Sequence, residues 1–370
     1  MDPATPGGGW VGPPPREVCI VMLSAIGDAV HVLPVATALK RAWPETRTTW
    51  VIQPVPYALV RGHPAIDDFI VFHRHRGPGA WRGFAEFRRA VAGRRFDLLL
   101  GLQVYAKAGI LTALTPADVK LGFDRARARD LQWLLTNRRI PPHPPQHVQD
   151  QYFEFVRWLG VDPEPIRWDL RLTDAEREAQ AAFFAGLGGP AMAVVVGTSK
   201  AEKNWTAEGF ARVLDAAAER HGLVPVLVGG PSEKERRIAD EIRGRTRAPV
   251  VDALGDDVRK VLWLVEGSAL TLSPDTGPLH MSRAVGTPVV GLFGYTNPKR
   301  SGPYGAFQDL VVDGYATYPG EAYPLEHRYR DGMGRITVDM VLEKVALAME
   351  RYVSPAADPP TPAPAPQAPR

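Results

Sequence analysis

The apolar positions of this chain fall into short unbroken runs, separated by longer stretches in which apolar residues recur every three or four positions. In the first half, runs at 18–23, 48–52, 70–72 and 97–102 predict strands, and the helical spacing predicts helices over 29–42, 81–92, 107–114 and 149–159. The alternation then repeats. Strands are expected at 191–196, 224–228, 269–272 and 289–293, with helices over 207–221, 233–244, 258–266, 281–285 and 338–351, the last capped by Thr337. Unbroken apolar runs suit strands covered on both faces, and repeated strand–helix units make such strands parallel. Two sets of this kind, joined over 163–189, predict an α/β protein with two Rossmann-like domains facing an interdomain cleft. The expected domains are 17–165 and 166–337, with a C-terminal helix over 338–353 packing back on the first domain. Residues 1–16 and 354–370 are rich in Pro, Ala and Gly and lack any period, so they read as disordered tails.

Composition narrows this picture without changing it. A length of 370 residues favours two domains, and 45% hydrophobic with 23% charged residues is ordinary for a globular protein. The one cysteine, Cys19, excludes a disulfide framework and fits a reducing cytosol; inside an apolar run it reads as a buried structural thiol. No apolar run approaches the roughly 20 residues that span a bilayer. The run at 18–23 soon meets Asp28 and has no small-residue cleavage site after it, so a signal peptide is not expected. Net charge is +3, but from Arg61 to Arg139 there are 15 Lys or Arg against 7 Asp or Glu, a formal +8. That imbalance suits an anionic acceptor or an anionic membrane surface, with a solvated Arg-rich face as the plain alternative. No motif for nucleic acid accompanies it.

Four strand ends carry the candidate chemistry. Ser273-Pro274-Asp275-Thr276-Gly277-Pro278-Leu279-His280 lies where a strand turns into a helix, and unpaired amides at a helix start suit a phosphate. Asp275 is out of place beside phosphate and fits a sugar hydroxyl better; the segment is equally readable as an ordinary helix cap. Leu23-Ser24-Ala25-Ile26-Gly27-Asp28 places a carboxylate at the edge of the first strand, where it can act as a general base kept ionised by the helix dipole or be an ordinary helix-start carboxylate. In Gly197-Thr198-Ser199-Lys200-Ala201-Glu202-Lys203, the lysine before a helix makes sense beside an anion, and Lys203 with Thr198 and Ser199 is placed to hold a diphosphate, with an exposed loop lysine as the plain alternative. In Gly229-Gly230-Pro231-Ser232-Glu233-Lys234-Glu235, Glu233 suits ribose hydroxyls, while Ser232 and Glu235 have the spacing of a capping box.

In this order and spacing, the segments 24–34, 197–205, 229–233 and 275–280, with Gly286-Thr287-Pro288-Val289-Val290-Gly291-Leu292-Phe293-Gly294, resemble glycosyltransferase family 9. These are the heptosyltransferases of lipopolysaccharide core synthesis, with the GT-B fold. The resemblance runs from 18 to 352. The stretch from Gly122 to Arg129, then Asn137-Arg138 and Gln146-His147-Val148, resembles the acceptor side of the heptosyltransferase I type. The resemblance implies that Asp28 is the catalytic base, that Lys203 contacts the donor's nucleotide and phosphates, and that Glu233 binds ribose. It further implies that Asp275 lies near the donor sugar, that Thr276 and Gly277 offer amides to the diphosphate, and that His280 follows the glycine loop. Lys107, Arg125 and Arg129 are implied to face the anionic acceptor. The implied reaction is metal-independent, needs no cofactor and inverts the sugar, moving a heptose from ADP-heptose to a Kdo-bearing lipid. The implied place is the cytoplasmic face of the inner membrane, by peripheral contact. Two other classes remain open: a sugar-nucleotide 2-epimerase on the same fold, and a non-catalytic nucleotide-sugar binder.

Overall fold

A computed structural model describes residues 9–75 and 77–353. The first half holds strands β1 (Glu17–Val21), β2 (Arg47–Ile52), β3 (Asp68–Val71), β4 (Phe96–Gly101), β5 (Ala117–Gly122) and β6 (Arg138–Arg139). Helices α1 (Ile26–Ala42), α2 (Pro54–Val60), α3 (Ala80–Ala90), α4 (Ala106–Leu114) and α5 (Val148–Trp158) lie among them. The second half holds α6 (Asp174–Ala185), β7 (Ala191–Val195), α7 (Ala207–His221), β8 (Val224–Val228), α8 (Glu233–Arg243) and β9 (Val251–Asp252). It continues with α9 (Val258–Gly267), β10 (Leu270–Pro274), α10 (Gly277–Val285), β11 (Val289–Phe293), α11 (Pro298–Ser301), β12 (Val311–Asp313) and α12 (Val338–Ala348).

The strands form two six-stranded sheets, β3-β2-β1-β4-β5-β6 and β12-β11-β10-β7-β8-β9. Neighbouring strands are parallel, as the unbroken apolar runs predict. Counted from its own first strand, the second sheet repeats the order of the first. Each sheet therefore reverses its order once, between β1 and β4 and between β7 and β10. A crevice opens at the carboxyl end of that junction, and ligands of such folds bind there. Both faces of β1 are covered. Val18 and Ile20 join the core under α1 and α5, while Cys19 and Val21 pack with Phe87 of α3 and Leu111 of α4. Burial pushes the Cys19 thiol far above its ordinary range, as befits a structural residue.

Two expectations need correction. Residues 9–16 do not trail away: the Trp10 ring lies 6.5 Å from that of Trp43, and the Thr46 hydroxyl donates to the Pro15 carbonyl at 2.6 Å. The tails over 1–8 and 354–370 lie outside the described residues. The C-terminal helix packs on the second half, against α7, β11 and β12, and not on the first. Its apolar stripe of Val341, Val345 and Ala348 joins the core containing Phe210 and Leu310. The joining segment contains α6. That helix has no fully buried residue and so no apolar signal, but Thr173 and Glu176 cap it reciprocally at 3.3 and 2.8 Å.

The two halves touch through their helices, α1 against α10 and α2 against α9. Buried Arg259 of α9 fastens this contact. It donates to Glu176 at 2.7 Å, to the Arg171 carbonyl at 2.7 Å and to the Leu59 carbonyl of α2 at 3.0 Å. The guanidinium holds the Glu176 carboxyl at about 2.

Candidate active site

Both crevices open into one cavity of about 1090 Å³, lined from both halves. On the first side, β1 ends at Val21 and α1 starts at Ile26, which makes Asp28 the third helical residue. Its Oδ2 accepts from the Ala25 amide at 2.9 Å, and its Oδ1 from the Tyr152 hydroxyl of α5 at 3.2 Å. Gln103, beyond β4, ties the loop in place: its Nε2 donates to the Ser24 carbonyl at 2.6 Å and its Oε1 accepts from the Leu23 amide at 3.1 Å.

The helix dipole does not set the charge of Asp28. Burial raises its pKa, and the Ala25 amide, Tyr152, His280 and Arg300 only partly offset that. Tyr152 keeps its proton, since burial and the Asp28 charge push its pKa well up. The pair thus has a fixed polarity, with the phenol as donor and the carboxylate as acceptor.

On the second side, β10 runs to Pro274 and α10 starts at Gly277, leaving only Asp275 and Thr276 between them. Helix α10 starts four residues earlier than the apolar spacing suggests, so the polar octapeptide is itself the helix start. Asp275 is buried and held from several sides. Its Oδ2 accepts from Lys203 Nζ at 2.7 Å, from the Thr296 hydroxyl at 2.6 Å and from the Ser301 hydroxyl of α11 at 3.5 Å. Its Oδ1 lies 3.6 Å from His280 Nε2. Burial opposes this charge, but His280 and Lys203 outweigh it and hold the carboxyl well below the usual range.

Lys203 also donates to the Asp275 carbonyl at 3.0 Å, which leaves one of its three N–H donors for a ligand. Thr198 lines the cavity, but its hydroxyl is taken by the Lys200 carbonyl at 2.5 Å and by Asn204 Oδ1 at 3.0 Å. Ser199 and the Thr276–Gly277 turn line the cavity as well.

The halves meet closely at the floor. A Cβ on Gly27 would lie 2.8 Å from His280 Cδ2, and one on Gly277 would lie 2.8 Å from Ile26 Cγ2. The two glycines bring helix starts together across the cleft. Behind them three imidazoles gather, His280 with its ring 4.5 Å from His31, and His147 at 5.9 Å from His31. His147 Nε2 donates to the Gly302 carbonyl at 3.0 Å and its Nδ1 accepts from the Gln149 amide at 3.0 Å, so the ring is neutral. Burial takes His147 down to about 4 and His31 further below its ordinary value.

Of the expected site residues, the cavity brings together Asp28, Thr198, Ser199, Lys203, Asp275, Thr276, Gly277, His280 and Arg129. Lys107 faces a smaller adjoining cavity of about 460 Å³ that shares Asp28 with the first. Burial and nearby Arg74 lower its pKa. Glu233 and Arg125 do not line the cleft. Glu233 is the exposed first residue of α8, and its neighbour Glu235 does the local work, accepting from the Gly230 amide at 3.0 Å and from the Ser232 hydroxyl at 2.6 Å. Arg125 sits 4.9 Å above the Trp133 ring. Tyr152, Thr296 and Arg300 line the cavity and were not among the sequence candidates.

Comparison with known proteins gives consistent relatives. A model described as glycosyltransferase family 9 (heptosyltransferase) matches residues 84–321. The lipopolysaccharide core heptosyltransferase OpsX of Haemophilus influenzae is 31% identical over 298 residues, which cover 80% of this chain and 84% of that protein. Among solved structures, the glycosyl transferase family 9 protein of Veillonella parvula superposes with a TM-score of 0.77 at 21% identity, over 90% of this chain and 97% of that one. E. coli heptosyltransferase WaaC with ADP superposes at 0.69 and 21% identity, over 91% and 99%. At these identities the structures speak for the fold.

Proposed function

We propose that this chain, which belongs to glycosyltransferase family 9 (heptosyltransferase), moves a heptose from ADP-heptose to an acidic inner-core acceptor of lipopolysaccharide, with inversion. The observation that carries this reading is the pairing of two strand ends in one cavity: Asp28, with its raised pKa, faces the Asp275–Lys203 pair and the start of α10. In this reading the acceptor hydroxyl gives its proton to Asp28 as its oxygen attacks the anomeric carbon. The bond from that carbon to the diphosphate oxygen breaks, and the electron pair leaves with the nucleoside diphosphate. The free donor of Lys203, Ser199 and the amides opening α10 meet the charge that develops. Asp275 Oδ1, with only His280 near it among the described residues, takes a sugar hydroxyl.

In this reading protein cations and amides stand where a metal would otherwise neutralise the diphosphate. The protein works at the cytoplasmic face of the inner membrane, touching it peripherally; none of its described helices is long and apolar enough to cross a membrane.

Incubation with ADP-, GDP- and UDP-sugars, with and without a Kdo-lipid acceptor and with EDTA present, tests the reading. Transfer of heptose from the ADP-sugar, inverted, acceptor-dependent and insensitive to EDTA, is the expected result. Turnover of the nucleotide-sugar without acceptor points instead to an epimerase, and preference for GDP or UDP overturns the donor.

A further inference from the structure

We infer that Arg300 selects the acceptor: its guanidinium, on α11 of the second half, grips an acid group of the acceptor, a carboxylate or phosphate, beside Asp28. The inference rests on the transferase reading above and deepens it.

Four groups able to carry positive charge converge on the cleft from separate segments. Arg129 comes from the first half, Lys200 from the loop after β7, Arg300 from α11 and His327 from the loop after β12, and all four line the same cavity. Their closeness shows in His327, which burial and then Arg300, Arg129 and Lys200 hold below its ordinary pKa. Arg129 and Lys200 lie over aromatic rings, 5.7 Å from Tyr105 and 4.6 Å from Tyr329. Arg300 is half-buried, and its guanidinium has no hydrogen-bond or ion-pair partner among the described residues. Like charges gathered on one part of the cavity repel one another, and an anion between them reverses the sign of that energy.

Direction separates acceptor from donor. The field of Arg300 reaches Asp28, Tyr152 and His147 of the first half as well as His327 of the second. The leaving diphosphate has its own donors at the start of α10 and at Lys203. The next residue, Ser301, bonds to Asp275, so α11 is anchored to the donor side while Arg300 reaches across to the base. A planar guanidinium pairs two N–H groups with two oxygens of a carboxylate or phosphate, which fixes orientation as well as charge. An acid group held this way would place a neighbouring hydroxyl against Asp28.

The test compares wild type, Arg300→Ala and Arg300→Lys, all full-length and matched by thermal melting. Three acceptors are used: the intact Kdo-lipid, a form with its carboxyls esterified and a form without phosphates. Arg300→Ala should raise the acceptor KM by at least ~10-fold, the scale of one lost hydrogen bond to a charged group, and leave the donor KM unchanged. Arg300→Lys should recover part of the loss. One of the two neutralised acceptors should abolish the difference between wild type and Arg300→Ala, and which one does so identifies the acid. A raised donor KM, an unchanged acceptor KM or a difference that persists on both neutralised acceptors overturns the inference. Acceptor binding followed by tryptophan fluorescence without donor makes the same comparison independently of turnover, so failure of transfer and failure of the anion site are read apart.

Discussion

Burial lifts Asp28 while four neighbours pull it down, and that balance sets the pH at which it can accept a proton. Tyr152 is one of the four, and its hydroxyl donates only to the ionised acid at full strength. Tyr152→Phe removes a donor to the charged form, so the pKa of Asp28 rises further. The acid limb of kcat/KM should therefore move to higher pH, by about one unit if the lost bond is worth about 1.5 kcal/mol. A pH–rate profile checks this, and a limb that stays put or moves down contradicts it. Asp28 was a candidate in the sequence because a carboxylate after a strand end and a glycine sits at the cleft edge, although the same place also suits an ordinary helix-start carboxylate. Tyr152 was not, because it sits 124 residues away on a helix whose spacing reads as ordinary core. Glu233 was read as a ribose ligand from its place at a helix start after two glycines; the structure shows it exposed there, beside the Ser232 cap and Glu235.

At the scale of elements, the close approach of α1 and α10 depends on residues without side chains. Gly27 was expected to serve a tight turn and Gly277 a ligand; each also admits the opposite helix start. Gly27→Ala drives a methyl against the buried His280 ring, which is itself packed on His31. Overpacking of this kind should cost about 1–3 kcal/mol in urea unfolding and, by spreading the two helix starts, should lower kcat/KM. Wild-type values for both would contradict the account. Sequence pattern located the strands and long helices because their apolar runs are unbroken. It passed over α6, which buries none of its residues fully, the short helices α2 and α11, the strand β5, only partly buried along Ala117–Gly122, and the short strands β6, β9 and β12. It also left α12 on the wrong half, since an apolar stripe does not name its partner.

At the scale of the molecule, the two sheets share one strand order, and each brings its order reversal to the same cleft. The division of labour follows from that symmetry. In the proposed reading the first half presents the base, Asp28, and the second presents the anion-friendly helix start with Asp275 locked by Lys203. Arg259, the His147–Gly302 hydrogen bond and the 2.7 Å hydrogen bond from Tyr304 to Asp150 hold the halves in register. Neither half contains both the base and the donor grip. The measurement that tests this most directly is single-turnover heptose transfer by Asp28→Asn alongside donor binding by titration calorimetry. The account predicts a rate at least ~100-fold below wild type, as for a lost general base, with donor affinity unchanged. Transfer near the wild-type rate, or a loss explained by weakened donor binding, would contradict it.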